Sequence, residues 1–388
     1  MNEQAAPHGT SRHTLGRRSF LAATGLAAAG AGAAWAAAGA GKALAAGRAP
    51  ASASGFAVPI DTVAHTRTWM AWPDSTAIWG PKLRGVQANI ALIARTVAKY
   101  EPVTLCANPV GAPAARSACG PSVTVLDTIP VDDCWMRDTG PVFRTDGAGG
   151  LNAIGTNFNG WGNKQPHAND ALVAERLAAH LGVPFTAAGF VGEGGAVETD
   201  GNGTLMATRS SLINSNRNPD LSQAGIETAL CDAYGASKVI WFNGVTGRDI
   251  TDDHVDATSR FLATAAGLVQ MPLATDTDAW SRDARRQYRI LSTSTDAQGN
   301  PIAVTRLQGP DYKRIRATDP DFVASYANYY VCNGAVISAQ FGDTRADAEA
   351  KATLQRLFPN RVVEQLDIDG LGAGGGGIHC VTQQQPRP

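Results

Sequence analysis

Gly140-Pro141-Val142-Phe143-Arg144 sets a glycine ahead of a short apolar run. The same device recurs at Gly195-Ala196-Val197-Glu198, Gly267-Leu268-Val269-Gln270, Gly334-Ala335-Val336-Ile337 and Gly377-Ile378-His379-Cys380. The spacings are 55, 72, 67 and 43 residues. One supersecondary unit per interval of this size predicts a radial or solenoidal array; chance recurrence of glycine beside an apolar residue is the alternative. Between the repeats, apolar residues fall at helical spacing over 86–99 and 170–181, while Val103-Thr104-Leu105-Cys106 reads as a buried strand. Strands alternating with helices at this pace predict an α/β protein. No low-complexity stretch interrupts residues 56–388, which read as one domain.

Composition agrees with a folded α/β chain. Of 388 residues 44% are hydrophobic and 17% charged, with 42 Gly and 21 Pro. That is too apolar for a disordered chain and too rich in turn formers for a coiled coil. A formal charge of −1 gives no electrostatic case for a nucleic-acid partner. Six cysteines are too few for a disulfide-stapled scaffold.

Residues 1–45 stand apart. A polar start leads to Arg17-Arg18-Ser19-Phe20-Leu21, then an Ala/Gly run, then Ala43-Leu44-Ala45. A twin-arginine pair, a mild apolar core and a small-x-small end predict a Tat-type signal read by the Tat export machinery. The mature protein would then be secreted or held in the cell envelope, folded before translocation. A membrane anchor is the alternative, but Ala and Gly hold hydrocarbon poorly. Losing Arg12, Arg17, Arg18 and Lys42 together with Glu3 takes the formal charge from −1 to −4, which suits a cationic substrate. No later stretch approaches the roughly 20 apolar residues of a membrane span, so no stable membrane association is expected.

Five polar clusters could carry chemistry: residues 132–141, 192–201, 249–256, 325–330 and 374–380. Cys380 follows a glycine run, where backbone N–H groups can approach a reacting centre closely. On spacing alone it reads first as a buried structural thiol, the usual fate of a lone cysteine. His254-Val255-Asp256, taken as a strand, puts an imidazole and a carboxylate on one face. That pair could be an acid/base couple, half a metal site or an exposed polar face. Arg137-Asp138 could be a surface ion pair.

Their joint occurrence is specific. TRTWMAWP (66–73), CWMRDTGP (134–141), EGGAVETDGNGT (193–204), NSNRNP (214–219), DITDDHVD (249–256), SYANYYVCNG (325–334) and GGGIHCVTQQQP (375–386) follow one another over nearly all of residues 56–388. In this order they resemble the agmatine deiminase family, with the bacterial peptidylarginine deiminases grouped with it, in the guanidine-modifying pentein superfamily. The resemblance implies a five-bladed α/β propeller with a central active site, in keeping with the glycine repeat. It places the nucleophile on Cys380, the general acid/base on His254 and the glutamate orienting it on Glu193. The guanidinium-binding carboxylates fall on Asp138 and Asp256, with Trp135 and Asn328 beside the substrate. No metal and no organic cofactor is implied. The expected substrate is agmatine or a related guanidino compound, on a route to putrescine; an arginyl peptide is the alternative, which export favours.

This chemistry needs these residue types. A guanidinium is planar and delocalised, so two carboxylates accepting paired N–H bonds orient it and hold its charge. A thiolate attacks its carbon, and one histidine protonates departing ammonia and then activates water. The chain departs from the family pattern in three places. Gly377 stands where an asparagine is usual, Asp253 replaces a glycine beside His254, and Arg209 follows the 204–208 strand where agmatine enzymes often carry an acid. If Arg209 faces the pocket, it favours a substrate carboxylate over an ammonium. A metallohydrolase using His254, Asp256 and Cys380, or an inactive binding propeller, are the remaining alternatives.

Overall fold

The computed structural model describes residues 55–319 and 322–388, so the expected signal over 1–45 lies outside the described residues. Among those residues the strands form five small sheets. Strands β1 (His65–Ala71), β2 (Val103–Cys106) and β3 (Val123–Leu126) run parallel. Three-stranded sheets follow: β4 (Val142–Thr145), β5 (Leu151–Gly155) and β6 (Phe185–Ala187), then β7 (Val197–Thr199), β8 (Thr204–Thr208) and β9 (Lys238–Phe242). The last two are β10 (Ser259–Ala263), β11 (Ala266–Met271) and β12 (Ala303–Gln308), and β13 (Tyr330–Cys332), β14 (Ala335–Gln340) and β15 (Val362–Asp367). In each, an antiparallel hairpin is followed by a parallel pair. The first sheet takes its antiparallel strand from the other end of the chain, where β16 (Gln383–Pro386) pairs with β1.

Each parallel pair requires a crossover, and a helix supplies it. These are Leu83–Val97, Ala112–Cys119, Val173–Leu181, Gln223–Tyr234, Ala279–Ser292 and Thr344–Leu357. In the first, Val86, Ile90, Ile93 and Val97 recur at helical spacing and are fully buried against the sheet. Truncating Ile90 or Ile93 to alanine would destabilise by about 2–5 kcal/mol. Short polar side chains start three of the others. Ser222 accepts from the N–H of Gly225, Asp278 from that of Ser281 and Asp343 from that of Ala346. Gly182 and Gly235 end two of them at φ 65° and 67°, a conformation that favours glycine.

The five-unit α/β architecture matches the expectation, and so do the helices over 86–99 and 170–181 and the buried strand at 103–106. The glycine repeat has the right number but a mixed phase. Gly140 and Gly195 precede the first strands of their units, β4 and β7. Gly334 makes the turn between β13 and β14 at φ 84°, and Gly267 lies inside β11. Glycine marks tight turns and close approaches at both ends of a hairpin, so it does not pick out one register. No helix among the described residues is long and apolar enough to cross a membrane.

Candidate active site

Every unit delivers polar residues on the segment that enters its first strand. Trp135 and Asp138 precede β4, Glu193 precedes β7, His254 and Asp256 precede β10, Asn328 precedes β13 and Cys380 precedes β16. All but Glu193 line one cleft of about 820 Å³, and Glu193 is buried behind His254. The structure therefore brings together all seven residues singled out in the sequence.

Gly195 is the point on which they converge. A Cβ there would stand 2.8 Å from Asp138 Oδ1, 2.8 Å from His254 Nδ1 and 3.2 Å from Asp256 Oδ2. Its N–H donates to Asp138 Oδ1 at 3.0 Å, and the indole N–H of Trp161 donates to Oδ2 at 2.9 Å. Burial lifts the Asp138 carboxyl to about 6; His254 opposes the rise, while Glu193 and Asp256 add to it.

Asp256 answers it across the cleft. Its Oδ2 lies 2.8 Å from His379 Nδ1, and its Oδ1 is buried without a hydrogen-bond partner. Burial would raise this carboxyl, but His379, His254 and Arg260 hold it below the ordinary carboxylate value. Asp138 and Asp256 each have a histidine partner and no lysine or arginine ion pair among the described residues.

His254 Nε2 lies 3.1 Å from Glu193 Oε2, and its Nδ1 lies 3.8 Å from Asp138 Oδ1. Burial alone would favour the neutral ring; Asp138, Glu193 and Asp256 outweigh it and raise the imidazole to about 9. Glu193 stays ionised because Arg217 and His254 outweigh its own burial.

Cys380 is the only one of the six cysteines that is not fully buried, and all six are free thiols. Its Sγ sits 3.4 Å from Asn328 Oδ1 and 3.8 Å from Asp256 Oδ2. Burial and the charges of Asp256 and Asp138 push the thiol well above its ordinary value. A cation placed between those carboxylates removes the charge part of that penalty, so an entering guanidinium would help generate the thiolate.

Asn328 Oδ1 also accepts from the backbone N–H of His379 at 3.0 Å. It stands 2.5 Å from where a Cβ on Gly377 would lie, so the Asn328 amide occupies the space a side chain at 377 would take. Trp135 and Trp79 pack with ring centroids 5.9 Å apart, and both donate their indole N–H to the buried Asp133.

Two local expectations are corrected. His254-Val255-Asp256 is not a strand: Val255–Ala257 is a 3₁₀ turn, and Asp252 and Asp253 adopt φ 59° and 73°. His254 and Asp256 still share the cleft because Val255 turns between them into the core. Asp253 holds a backbone conformation that suits glycine, and it is buried away from the cleft, with its carbonyl accepting from Thr208 Oγ1 at 2.7 Å. Arg209 does not face the pocket either. Its guanidinium lies over the Trp241 ring, 5.9 Å from the centroid, and donates to Gln223 Oε1 and to the Trp241 carbonyl.

Four residues in the site's surroundings were assigned no role from sequence: Trp161, Arg217, His379 and Asp133. Trp161 carried a signal, an aromatic between two glycines, and it sits at φ 55°. A group of acids and a histidine close enough to share a metal also occurs, at Asp61, Glu198 and His379. Arg260 already lies between the two acids, 2.7 Å from each.

Five ββαβ units, with a thiol, an imidazole and two carboxylates gathered where their first strands begin, define a pentein-type α/β propeller of the guanidine-modifying class. The chain belongs to the Porphyromonas-type peptidyl-arginine deiminase family, whose model matches residues 57–386. It is 35% identical over 358 residues to an agmatine deiminase of Pseudomonas aeruginosa, covering 87% of this chain and 97% of that one. It is 33% identical over 365 residues to an agmatine deiminase of Stutzerimonas stutzeri, covering 86% and 96%. The solved agmatine deiminase of Enterococcus faecalis superposes with a TM-score of 0.79 at 27% identity, covering 86% of this chain and 96% of that one.

Proposed function

We propose that the protein is a guanidine C–N hydrolase that converts agmatine, or a close guanidino relative, to the carbamoyl product and ammonia. The observation that carries this reading is the cage itself: two buried carboxylates with no lysine or arginine ion pair among the described residues stand in one cleft beside a thiol and an imidazole. Asp138 and Asp256 would accept the guanidinium N–H groups, with Asp256 Oδ1 the open acceptor. Cys380 gives its thiol proton to solvent as the cation enters, and the Sγ thiolate forms a bond to the guanidinium carbon while a C–N π pair moves onto nitrogen. The tetrahedral adduct takes a proton from His254 and expels ammonia, leaving a thiouronium on Cys380. Neutral His254 then takes a proton from water, whose oxygen adds to the same carbon. Collapse breaks the C–S bond, restores the thiolate and releases a urea-type product with loss of one proton. Glu193 keeps the imidazole oriented and charged for the first transfer.

Agmatine is favoured because relatives spanning nearly the whole chain bear the name agmatine deiminase. Arg209, the one residue arguing for a substrate carboxylate, lies outside the cleft. The carbamoyl product would pass to a hydrolysis that frees putrescine. The cleft exceeds what a small guanidinoalkylamine fills, so peptidyl-arginine is the second reading. Residues 1–45 would direct export through the Tat machinery, which cell fractionation of a tagged full-length chain tests. Ammonia release from agmatine, free arginine and an arginyl peptide decides among the substrates. No release from any of them, by a folded protein, removes the reading.

A further inference from the structure

The NSNRNP stretch marks the chain as a family member, yet none of its residues touches the cleft. Its Arg217 side chain is fully buried and engages acceptors through all three nitrogens, Nη1 donating also to Asn216 Oδ1 at 3.0 Å. Nε lies 2.7 and 3.1 Å from the two oxygens of Glu193, Nη1 lies 2.9 Å from Asp252 Oδ2, and Nη2 donates to the Thr251 carbonyl at 3.0 Å. Lys164, on the cleft wall, closes the row by donating to Asp252 Oδ2 at 2.6 Å. A row of alternating charges thus runs from Lys164 through Asp252, Arg217 and Glu193 to His254.

We propose that Arg217 is the positioning residue that keeps Glu193 ionised and fixed against His254, so that the imidazole is presented to the reacting nitrogen in one orientation and charge. The proposal rests on the deiminase reading for its kinetics, but its geometry stands without it. Glu193 has two ionic partners, His254 and Arg217, and it lies in full burial. A carboxylate there without Arg217 would face Asp252 and Asp138 in low dielectric and take up a proton. Protonated, it no longer holds the imidazolium. Arg217 touches neither guanidinium-binding carboxylate, so substrate capture is left alone. With substrate bound, the guanidinium between them holds Asp138 and Asp256 ionised. The acid limb of kcat then reports Glu193 and His254, with Arg217, Asp252 and Lys164 as the other charges facing them.

The test is kcat and KM for agmatine across pH in Arg217→Met and Arg217→Lys, with carboxyl-carbon NMR of Glu193 in glutamate-labelled protein, assigned with Glu193→Gln. The Met variant is expected to lose about 10²-fold in kcat with KM within about threefold. Its acid limb should move up by about one pH unit or more, in step with the Glu193 carboxyl resonance. The Lys variant, which keeps the charge, should return the limb to the wild-type position. If Arg217→Met does not fold, the pair of charges is removed together. Glu193→Gln and Glu193→Gln/Arg217→Met should then have equal kcat within about threefold, because Arg217 acts through Glu193. An unmoved Glu193 resonance in Arg217→Met, or a double variant more than about tenfold below Glu193→Gln, overturns the proposal. If the wild type releases no ammonia, the deiminase reading fails while the NMR titration still judges the role of Arg217.

Discussion

The backbone N–H of Gly195 donates to Asp138 Oδ1 at 3.0 Å, and a methyl group on that glycine would lie 2.8 Å from the same oxygen. The residue that holds the carboxylate is thus also the one whose missing side chain lets it in. The same Cβ would meet His254 and Asp256, so three polar side chains from two units depend on one empty position. Gly195→Ala is expected to keep the fold and displace all three, with a loss of about 10²-fold in kcat/KM. Melting temperature together with ammonia release checks it. Near wild-type kinetics would mean that the three side chains shift at no functional loss.

Cys380 in the empty site is held as a thiol by burial and by Asp256 and Asp138. Iodoacetamide should therefore alkylate it only at a pH well above that of an ordinary thiol. The sign of the carboxylate effect is fixed: removing a negative charge favours the thiolate. Asp138→Asn and Asp256→Asn should each shift the alkylation midpoint to lower pH, even as they weaken substrate capture by about 10²-fold. Mass spectrometry of the modified C-terminal peptide reads the midpoint directly. A midpoint unchanged in both variants would separate the thiol from the cage. Cys380→Ser should lose about 10³-fold or more in kcat.

Arg209→Glu should leave the ratio of kcat/KM for agmatine and an arginyl peptide within about twofold of wild type. The side chain is occupied by Trp241, Gln223 and Asn243. A tenfold change in the ratio would require about 1.4 kcal/mol of altered interaction with substrate, which a residue outside the cleft does not supply. Competition between the two substrates in one reaction measures the ratio without separate constants.

What was legible in the sequence follows from where each unit spends its polar residues. Asp138, Glu193, His254, Asp256, Asn328 and Cys380 stand on short polar segments that are ambiguous one by one, and their roles became legible through the order of the seven motifs and the family they resemble. The five-unit count came through because each unit carries a glycine at a strand entry, a turn or a close approach; the phase did not, since Gly267 and Gly334 serve the second strand rather than the first. The extended reading of 254–256 failed because Asp252 and Asp253 occupy left-handed backbone, which a run of polar residues does not announce. Which way Arg209 faces was left open by the sequence; it starts the short helix Arg209–Leu212, and Trp241 and Gln223 hold its side chain outside the cleft. Arg217 and His379 act through partners 24 and 123 residues away, which no local pattern reveals.

The pH profile of kcat/KM, which reports the free enzyme, joins two of the site's groups into one expectation. Asp138 titrates at about 6 and must be ionised to capture a guanidinium, so activity should fall as pH drops through that value. His254 titrates at about 9 and must be protonated to release ammonia, so its titration should level the profile as pH rises through that value and begin the basic limb. The agmatine guanidinium itself stays charged over the whole range, so neither limb belongs to the reacting group of the substrate. The Cys380 thiol, held well above its ordinary value in the empty site, must also lose its proton, so activity should climb with a slope near one between about 6 and 9 and more steeply below 6. Asp138→Asn should remove the acid limb near 6, because Asp256 is held below the ordinary carboxylate value. It should also lower the basic limb, since Asp138 is the largest of the charges that sustain the imidazolium. Both limbs moving together in that single variant is the outcome that ties Asp138 to His254. An acid limb that stays near 6 in Asp138→Asn would assign it to another carboxyl and remove Asp138 from guanidinium capture.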